Sequence, residues 1–276
     1  MKLFDELQVK MMEFLAKGLP PQSKWEYNPV TDCIDINGDF NCRSAGLKDF
    51  KGIKFGRISG NFDCSGLGLT SLIGAPEDVG KDFNCSKNNL TSLEGAPERV
   101  GYSFNCSKNS LESLEGGPEY VGGDYDCSSN KLVTLKGSPL KGSPKNLHGG
   151  FYRKFICSNN LLKDLNGFID NDFKGFFQCT RNPLTSLEGA PINIEPYNGG
   201  SYGKKISYYG NKGVSGKVLE LIHLTMIEKK VPFIIALGIL KNEIKSSDLK
   251  KLLPPDQENI EDVLKGASML GRFGAF

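Results

Sequence analysis

The sequence is poor in the residues and motifs that usually mark an enzyme. It contains only two histidines: His148 lies in a glycine-rich segment and His223 in an apolar pattern. Neither has an identifiable nucleophile as a partner. The sequence also contains no glycine-rich phosphate-binding motif and no zinc-protease motif. The motifs therefore do not indicate an enzyme, and they point to no cofactor and no catalytic residue.

Long apolar runs and a large excess of one charge are also missing. The net charge is +2, which argues against nucleic acid and against an anionic membrane surface, because both favour a strongly basic protein. The most apolar run, 231–240, is about half of the ~20 residues that cross a bilayer, and it contains proline and glycine. The first residues include Asp5 and Glu6, where a signal peptide needs an uninterrupted apolar run. We therefore expect a cytoplasmic protein without a membrane partner.

Cysteine, by contrast, recurs in a fixed register. The spacings between seven successive cysteines are 22, 21, 21, 21, 30 and 22 residues, and the seven are Cys42, Cys64, Cys85, Cys106, Cys127, Cys157 and Cys179. An aromatic residue stands two positions before each of them, leucine five after, leucine or phenylalanine eight after, and glycine ten after. A repeat of this length predicts a solenoid, in which each coil buries its apolar face against its neighbours.

The repeat predicts a short strand followed by a turn. Apolar residues two apart put two side chains on one face of a strand, and stacked coils make these strands parallel. The last five repeats have asparagine three positions after the cysteine, which we expect to bond to backbone groups of its own coil and of the next; these are Asn88, Asn109, Asn130, Asn160 and Asn182. The glycine suits a turn with positive φ, and proline two residues later in five repeats disfavours a helix on the return side.

The cysteines themselves are expected to be core residues. They form no C-x-x-C pair and have no histidine-rich neighbourhood, so their spacing is poor for zinc. In a parallel stack their side chains point the same way, which disfavours disulfides between coils. Small buried hydrophobes beside an aromatic column are the simplest interpretation, and they suit a reducing compartment.

The best-formed repeat, Phe83 to Pro97, reads Phe-Asn-Cys-Ser-Lys-Asn-Asn-Leu-Thr-Ser-Leu-Glu-Gly-Ala-Pro. This motif resembles the short leucine-rich repeats of proteins from large bacteriophages and bacteria. The resemblance implies a curved solenoid with a parallel sheet on its concave side, few helices on its convex side and a role in protein binding. It does not extend to a catalytic domain, because the chain has no recognisable catalytic-cysteine region.

Three regions follow from these patterns. Residues 1–30 are predicted to form an N-terminal helical cap, and residues 214–276 a C-terminal α-helical region. Between them, 31–213 holds seven clear repeats and a degenerate eighth, in which Ile206, Tyr208 and Asn211 take the aromatic, cysteine and asparagine positions. Insertions near 136–154 and 192–205 are expected to be surface loops. The first is basic and partly aromatic, which is compatible with a phosphate or an acidic partner, but a solvated loop without a ligand is the simpler alternative.

A partner is expected on the concave face, at the positions one and three before each cysteine. Those positions are polar and mildly acidic in the first five repeats, and they become partly apolar in the last two, where aromatic anchors would favour binding. Phe176 has the alternative of packing under the second insertion. The aspartates lie along a line and do not converge, which is poor geometry for calcium. The predicted partner-binding residues are Asp39, Asp63, Asp82, Asn84, Asn105, Asp124, Asp126, Lys154, Phe176 and Gln178.

Three functional hypotheses remain open at this point. The first is a non-enzymatic protein interaction module, an adaptor or an inhibitor of a host factor if the phage resemblance holds. The second is an effector enzyme or nucleotide-binding protein that acts through the C-terminal region or the basic loop. The third is a structural protein that assembles with copies of itself. The absence of catalytic motifs favours the first.

Overall fold

The computed structural model describes residues 15–45, 49–50, 52–139, 141–142, 154–169, 173, 175–191, 206–207 and 223. Over this part the chain is a solenoid of short parallel strands. The elements are β1 (Lys24–Asn28), β2 (Cys33–Asn37), β3 (Phe40–Asn41), α1 (Cys42–Ala45), β4 (Phe55–Ile58), β5 (Phe62–Asp63), β6 (Asp78–Val79), β7 (Phe83–Asn84), β8 (Arg99–Val100), β9 (Phe104–Asn105), β10 (Tyr120–Val121), β11 (Tyr125–Asp126), β12 (Lys141–Gly142), β13 (Lys154–Ile156), β14 (Phe176–Gln178) and β15 (Ile206–Ser207). Within the described residues, no helix is long and apolar enough to cross a membrane.

The strands form two sheets. Sheet A has the order β1-β2-β4-β6-β8-β10-β12, and sheet B has the order β3-β5-β7-β9-β11-β13-β14-β15. All pairs are parallel except β1 with β2. Sheet B is the predicted parallel sheet, since Phe62 pairs with Phe83 and Phe83 with Phe104. Sheet A was not predicted: the return segment of each coil forms a second ladder and does not merely turn.

The third side of each coil runs between the two conserved leucines and contains no assigned strand in the described residues. Backbone hydrogen bonds still join neighbouring coils there. Leu161 N–H donates to Leu132 O at 2.9 Å, and Leu114 N–H donates to Lys136 O at 2.8 Å. The solenoid therefore has three hydrogen-bonded sides around one core.

The core consists of columns of like residues. The aromatic rings from Phe40 to Phe177 lie 5.1 to 5.9 Å apart between neighbouring coils. The seven repeat cysteines are fully buried free thiols, as predicted for small core hydrophobes. Burial raises the pKa of the thiols from Cys42 to Cys157 well above the ordinary value, so they are protonated and unreactive at neutral pH.

The asparagine ladder forms, with one correction. Asn130 Nδ2 donates to Cys127 O in its own coil and to Cys106 O in the preceding coil, at 3.0 and 3.1 Å. Its Oδ1 accepts the Leu111 N–H of the preceding coil at 3.1 Å. The expected partner was the next coil. The side chain bonds to the preceding coil because that coil presents the unpaired backbone groups, namely the carbonyl of Cys106 and the N–H of Leu111.

Glycine ten positions after the cysteine has a positive φ in every repeat, as expected. Gly95 has φ +85°, and a Cβ there would come within 2.6 Å of Ile73 N in the preceding coil. The turn thus needs glycine for its conformation and for the close approach of two coils.

The first coil departs from the pattern, with alanine at its asparagine position. The chain forms the helical turn α1 at this point, and Asn41 Oδ1 accepts the Ser44 N–H at 3.0 Å as its cap. Before it, residues 15–18 are helical and Leu15 is fully buried in the core cluster. The remainder of the predicted N-terminal helix lies outside the described residues.

Two contacts mark the far end of the solenoid. Ile206 pairs with Phe177, which confirms its aromatic-column position in the degenerate eighth coil. His223 is fully buried, and its Nε2 lies 2.7 Å from Pro191 O in the last clear repeat. The first insertion was predicted to be a surface loop, but its residues 141–142 form β12 and continue sheet A beside β10. Tyr208, Asn211, most of the first insertion, all of 192–205 and the remainder of 214–276 lie outside the described residues.

Candidate interaction surface

The outer face of sheet B carries one continuous row of side chains. The residue before each cysteine lies in the strand and points outward, because the residue before it is buried. Strand pairing places these residues side by side, at a spacing of about 4.8 Å. In order along the solenoid they are Asn41, Asp63, Asn84, Asn105, Asp126, Ile156, Gln178 and Ser207.

The aspartates and asparagines of this row are engaged in the turn that follows the strand. Four of them accept, through Oδ1, the backbone N–H two residues later, at 2.9 to 3.1 Å; the donors to Asp63, Asn84, Asn105 and Asp126 are Ser65, Ser86, Ser107 and Ser128. This is the Asx-turn arrangement, which satisfies a backbone donor that the turn would otherwise leave unpaired. Asn41 instead accepts the N–H three residues later, as the cap of α1. Four of the predicted partner-binding residues therefore also stabilise the coil.

The aspartates three positions before the cysteine connect one coil to the next. Asp39 Oδ1 accepts the Asn61 N–H at 2.7 Å, and Asp82 Oδ1 accepts the Ser103 N–H at 2.9 Å. Asp124 Oδ1 accepts the Lys154 N–H at 2.8 Å. In these coils the strand is two residues long, so these side chains lie at the corner that enters sheet B. Their contacts give the predicted acidic row a structural role along the solenoid axis.

The row changes character at the sixth repeat. Strands β13 and β14 are three residues long and place two outward side chains each on sheet B. Lys154 pairs with Phe176, and Ile156 pairs with Gln178. Ile156 and Phe176 replace residues that accept backbone hydrogen bonds in earlier coils, and both are only half-buried. Here the outward row contains large apolar groups with no part in a turn.

A shallow groove of about 480 Å³ lies beside these strands. Its lining residues are mostly hydroxyl and amide side chains: Ser128, Ser129, Ile156, Ser158, Asn159, Gln178, Thr180, Arg181 and Ser207. Ile156 is the one large apolar side chain in the lining, and Arg181 the one charged side chain. Of the predicted residues, Gln178 lies in the groove, whereas Lys154 and Phe176 lie beside it in the same strands.

The sequence analysis missed Arg181 and its neighbours on the turn. Ser129, Asn159 and Arg181 share the position two after the cysteine and have φ of 58°, 58° and 56°, in the left-handed region. The sequence signal for this conformation is Gly66 at the same position of the second repeat, with φ +66°. The turn lifts these side chains into a ridge along the edge of sheet B.

The part of the chain that the structure describes holds no cluster of three or more histidine, cysteine, aspartate or glutamate side chains placed to bind a metal ion. The surface offers hydrogen-bonding groups, a cation and apolar side chains, the groups that protein interfaces use. Comparisons with protein-family models, with curated proteins and with solved structures give no match to this chain.

Proposed function

We propose that the protein is a non-enzymatic interaction module that binds another protein through the outer face of sheet B, with the two insertions adding specificity. In this proposal the solenoid is a curved leucine-rich-repeat protein, and sheet B is its concave face. A helical region at 214–276 closes one end, and an N-terminal cap closes the other; the predicted helical cap of 1–30 is corrected in that Lys24–Asn28 form the strand β1, so only the segment before it is helical in this proposal. The resemblance to short repeats of bacteriophage proteins supports a cytoplasmic adaptor or inhibitor that acts on a host factor.

One observation carries the proposal, namely the break in the outward row of sheet B. Across five coils the row consists of residues whose side chains serve the fold. In the sixth repeat the row continues with Ile156, and in the seventh the other outward position of sheet B carries Phe176; both are partly exposed. Partly exposed apolar groups on a sheet gain free energy when a partner covers them, and aromatic side chains are frequent anchors of binding energy. Each predicted insertion is followed directly by a strand of this part of sheet B, since β13 begins at the end of 136–154 and β15, the neighbour of β14, begins after 192–205.

The proposal is tested with two matched double variants. The first carries Ile156→Asp and Phe176→Asp. The control carries Asn84→Asp and Asn105→Asp, which adds the same charge to the same row but keeps an oxygen acceptor for each turn. Proteins captured from a cell lysate are identified and then rebound in purified form.

The proposal expects a partner that binds the wild type and the control but binds the first variant at least about 30-fold more weakly, the equivalent of about 2 kcal/mol for a hot spot. Equal binding to all three proteins would place the interaction elsewhere. Loss with the control alone would place it on the N-terminal half of the row.

A further inference from the structure

The first strand of sheet A is an edge strand. β1 (Lys24–Asn28) pairs antiparallel with β2, and no strand pairs with its other edge among the described residues. With five residues each, β1 and β2 are the longest strands that the structure describes. β1 contains no proline, and the irregular pairing in this part of sheet A lies between β2 and β4. A long, regular edge of this kind is a template for pairing with a further strand.

Two ionised side chains lie on the outer face of β1. Trp25 is opposite the buried Ile36, so its neighbours Lys24 and Glu26 point outward. Neither of these two has an ion pair among the described residues. On the side of β2, Glu26 lies opposite Asp35, and like charges directly opposite each other are unfavourable. The free edge is therefore the side on which a cation can approach Glu26.

The order of these charges makes the edge complementary to itself. If two copies of β1 pair antiparallel about a two-fold axis at Trp25, Lys24 of each copy lies opposite Glu26 of the other. Symmetry forms this pair of opposite charges twice. An axis at Glu26 or at Lys24 would instead place a charged residue opposite its own copy. Within β1, only the axis at Trp25 gives pairs of opposite charge.

The inner face of β1 is also incomplete. Tyr27 is opposite the buried Ile34, on the face of sheet A that forms the core elsewhere, and yet it is 51% exposed. Trp25, on the same face, is half-buried. A second copy of sheet A would continue this face beyond its edge and cover part of the exposed aromatic surface.

The net charge of this end of sheet A favours a second copy over a strongly charged partner. Four ionised side chains line the groove above it, and their charges sum to zero; they are Lys24, Glu26, Asp35 and Arg57. A uniformly acidic or basic strand would gain no net attraction here. A strand of the same sequence does gain, because its charges alternate in the complementary order.

We propose that β1 pairs antiparallel with β1 of a second copy of this chain, about a two-fold axis at Trp25, so that two seven-stranded sheets join edge to edge. The pairing uses the strand that precedes the first coil, whereas Ile156 and Phe176 lie in the sixth and seventh repeats. This inference therefore does not depend on the proposed function.

The test measures the dimer of the full-length chain by sedimentation velocity over a wide range of concentrations. Trp25 is the single tryptophan of the chain, so its fluorescence reports on the same edge. The variants are Lys24→Glu, Glu26→Lys and the double variant with both changes; because of the two-fold axis, each single change alters both charge pairs. Glu98→Lys is the control, since it makes the same change in charge at an exposed position just before β8. Each variant is first shown to unfold with wild-type cooperativity.

The proposal predicts a concentration-dependent dimer of the wild type, with Trp25 emission that shifts as the dimer forms. Each single change should raise the dissociation constant at least about tenfold, the double variant should restore it to within about threefold of the wild-type value, and Glu98→Lys should leave it unchanged. A wild type that is monomeric at every concentration, or a dimer that either single change leaves intact, would overturn the inference. Failure of the double variant to restore a weakened dimer would overturn the register, and an assembly larger than a dimer would overturn the two-fold axis.

Discussion

The aromatic column contains one tyrosine, and its replacement tests the account of the core. Tyr125 is 1% exposed, and its hydroxyl has no partner that satisfies hydrogen-bond geometry among the described residues. The nearby Cys106 thiol interacts with it weakly, and burial raises the pKa of Tyr125 well above its ordinary value, so the hydroxyl is neutral. The core thus buries this oxygen without supplying a well-formed hydrogen bond.

Removing the hydroxyl should therefore stabilise the protein. A buried hydroxyl without a good partner costs about 1–3 kcal/mol, while the ring of Tyr125→Phe keeps its stacking on Phe104 and Phe155. Because the contact with the Cys106 thiol offsets part of this cost, we expect Tyr125→Phe to raise the free energy of unfolding by about 1–2 kcal/mol. Urea unfolding measures it, with an unchanged dependence on denaturant as the sign that the fold is preserved.

The matched control is Phe104→Tyr, one coil earlier in the same column, which should lose a comparable amount because it adds a second buried hydroxyl. A Tyr125→Phe variant that is less stable than the wild type would refute the reasoning. It would mean that the hydroxyl makes a hydrogen bond worth more than its desolvation.

Three further predictions concern other parts of the solenoid. Burial lowers the pKa of His223 to about 4, so between pH 6.5 and 4 the unfolded chain binds more protons than the folded one. The free energy of unfolding should therefore decrease as the pH is lowered through that window, by up to about 3 kcal/mol. His223→Gln should flatten this dependence in unfolding measured at a series of pH values. Asn130→Ala leaves buried backbone groups of two coils unpaired, and it should lower the free energy of unfolding, measured in urea, by at least about 3 kcal/mol. An equal loss in the control Asn89→Ala, at an exposed neighbour of the ladder, would contradict a specific role for Asn130. Lys108→Gly replaces a lysine that has a φ of +57°, and it should raise the free energy of unfolding by about 1 kcal/mol because glycine adopts this conformation without strain. Lys131 is outside the left-handed region, so Lys131→Gly should lower the free energy of unfolding. A Lys108→Gly variant less stable than Lys131→Gly in thermal unfolding would contradict the assigned strain.

The parts of the fold that sequence predicts are those with a local signal repeated in register. The aromatic residue and cysteine two apart define the strands of sheet B, and the glycine defines a turn that has no alternative residue. Most of sheet A was missed because β6, β8, β10 and β12 are two residues long, and a strand such as β6 or β8 buries a single side chain, Val79 or Val100. A strand that short has no alternation to detect.

The candidate site was predictable only in outline. The outward row of sheet B follows from strand alternation, but the bonds that engage Asp63 or Asp82 depend on the turn and on the next coil. Arg181 was missed because it follows the strand, where alternation no longer separates inward from outward residues, although Gly66 marks the same turn position.

The central claim is that the outward row of sheet B binds a protein where it becomes apolar. The most direct measurement is the affinity of the purified partner for the wild type, for the Ile156→Asp, Phe176→Asp variant and for the Asn84→Asp, Asn105→Asp control, after each is shown to unfold with wild-type cooperativity. The account predicts wild-type affinity for the control and a loss of at least about 30-fold for the first variant. Equal affinity for all three proteins would contradict it.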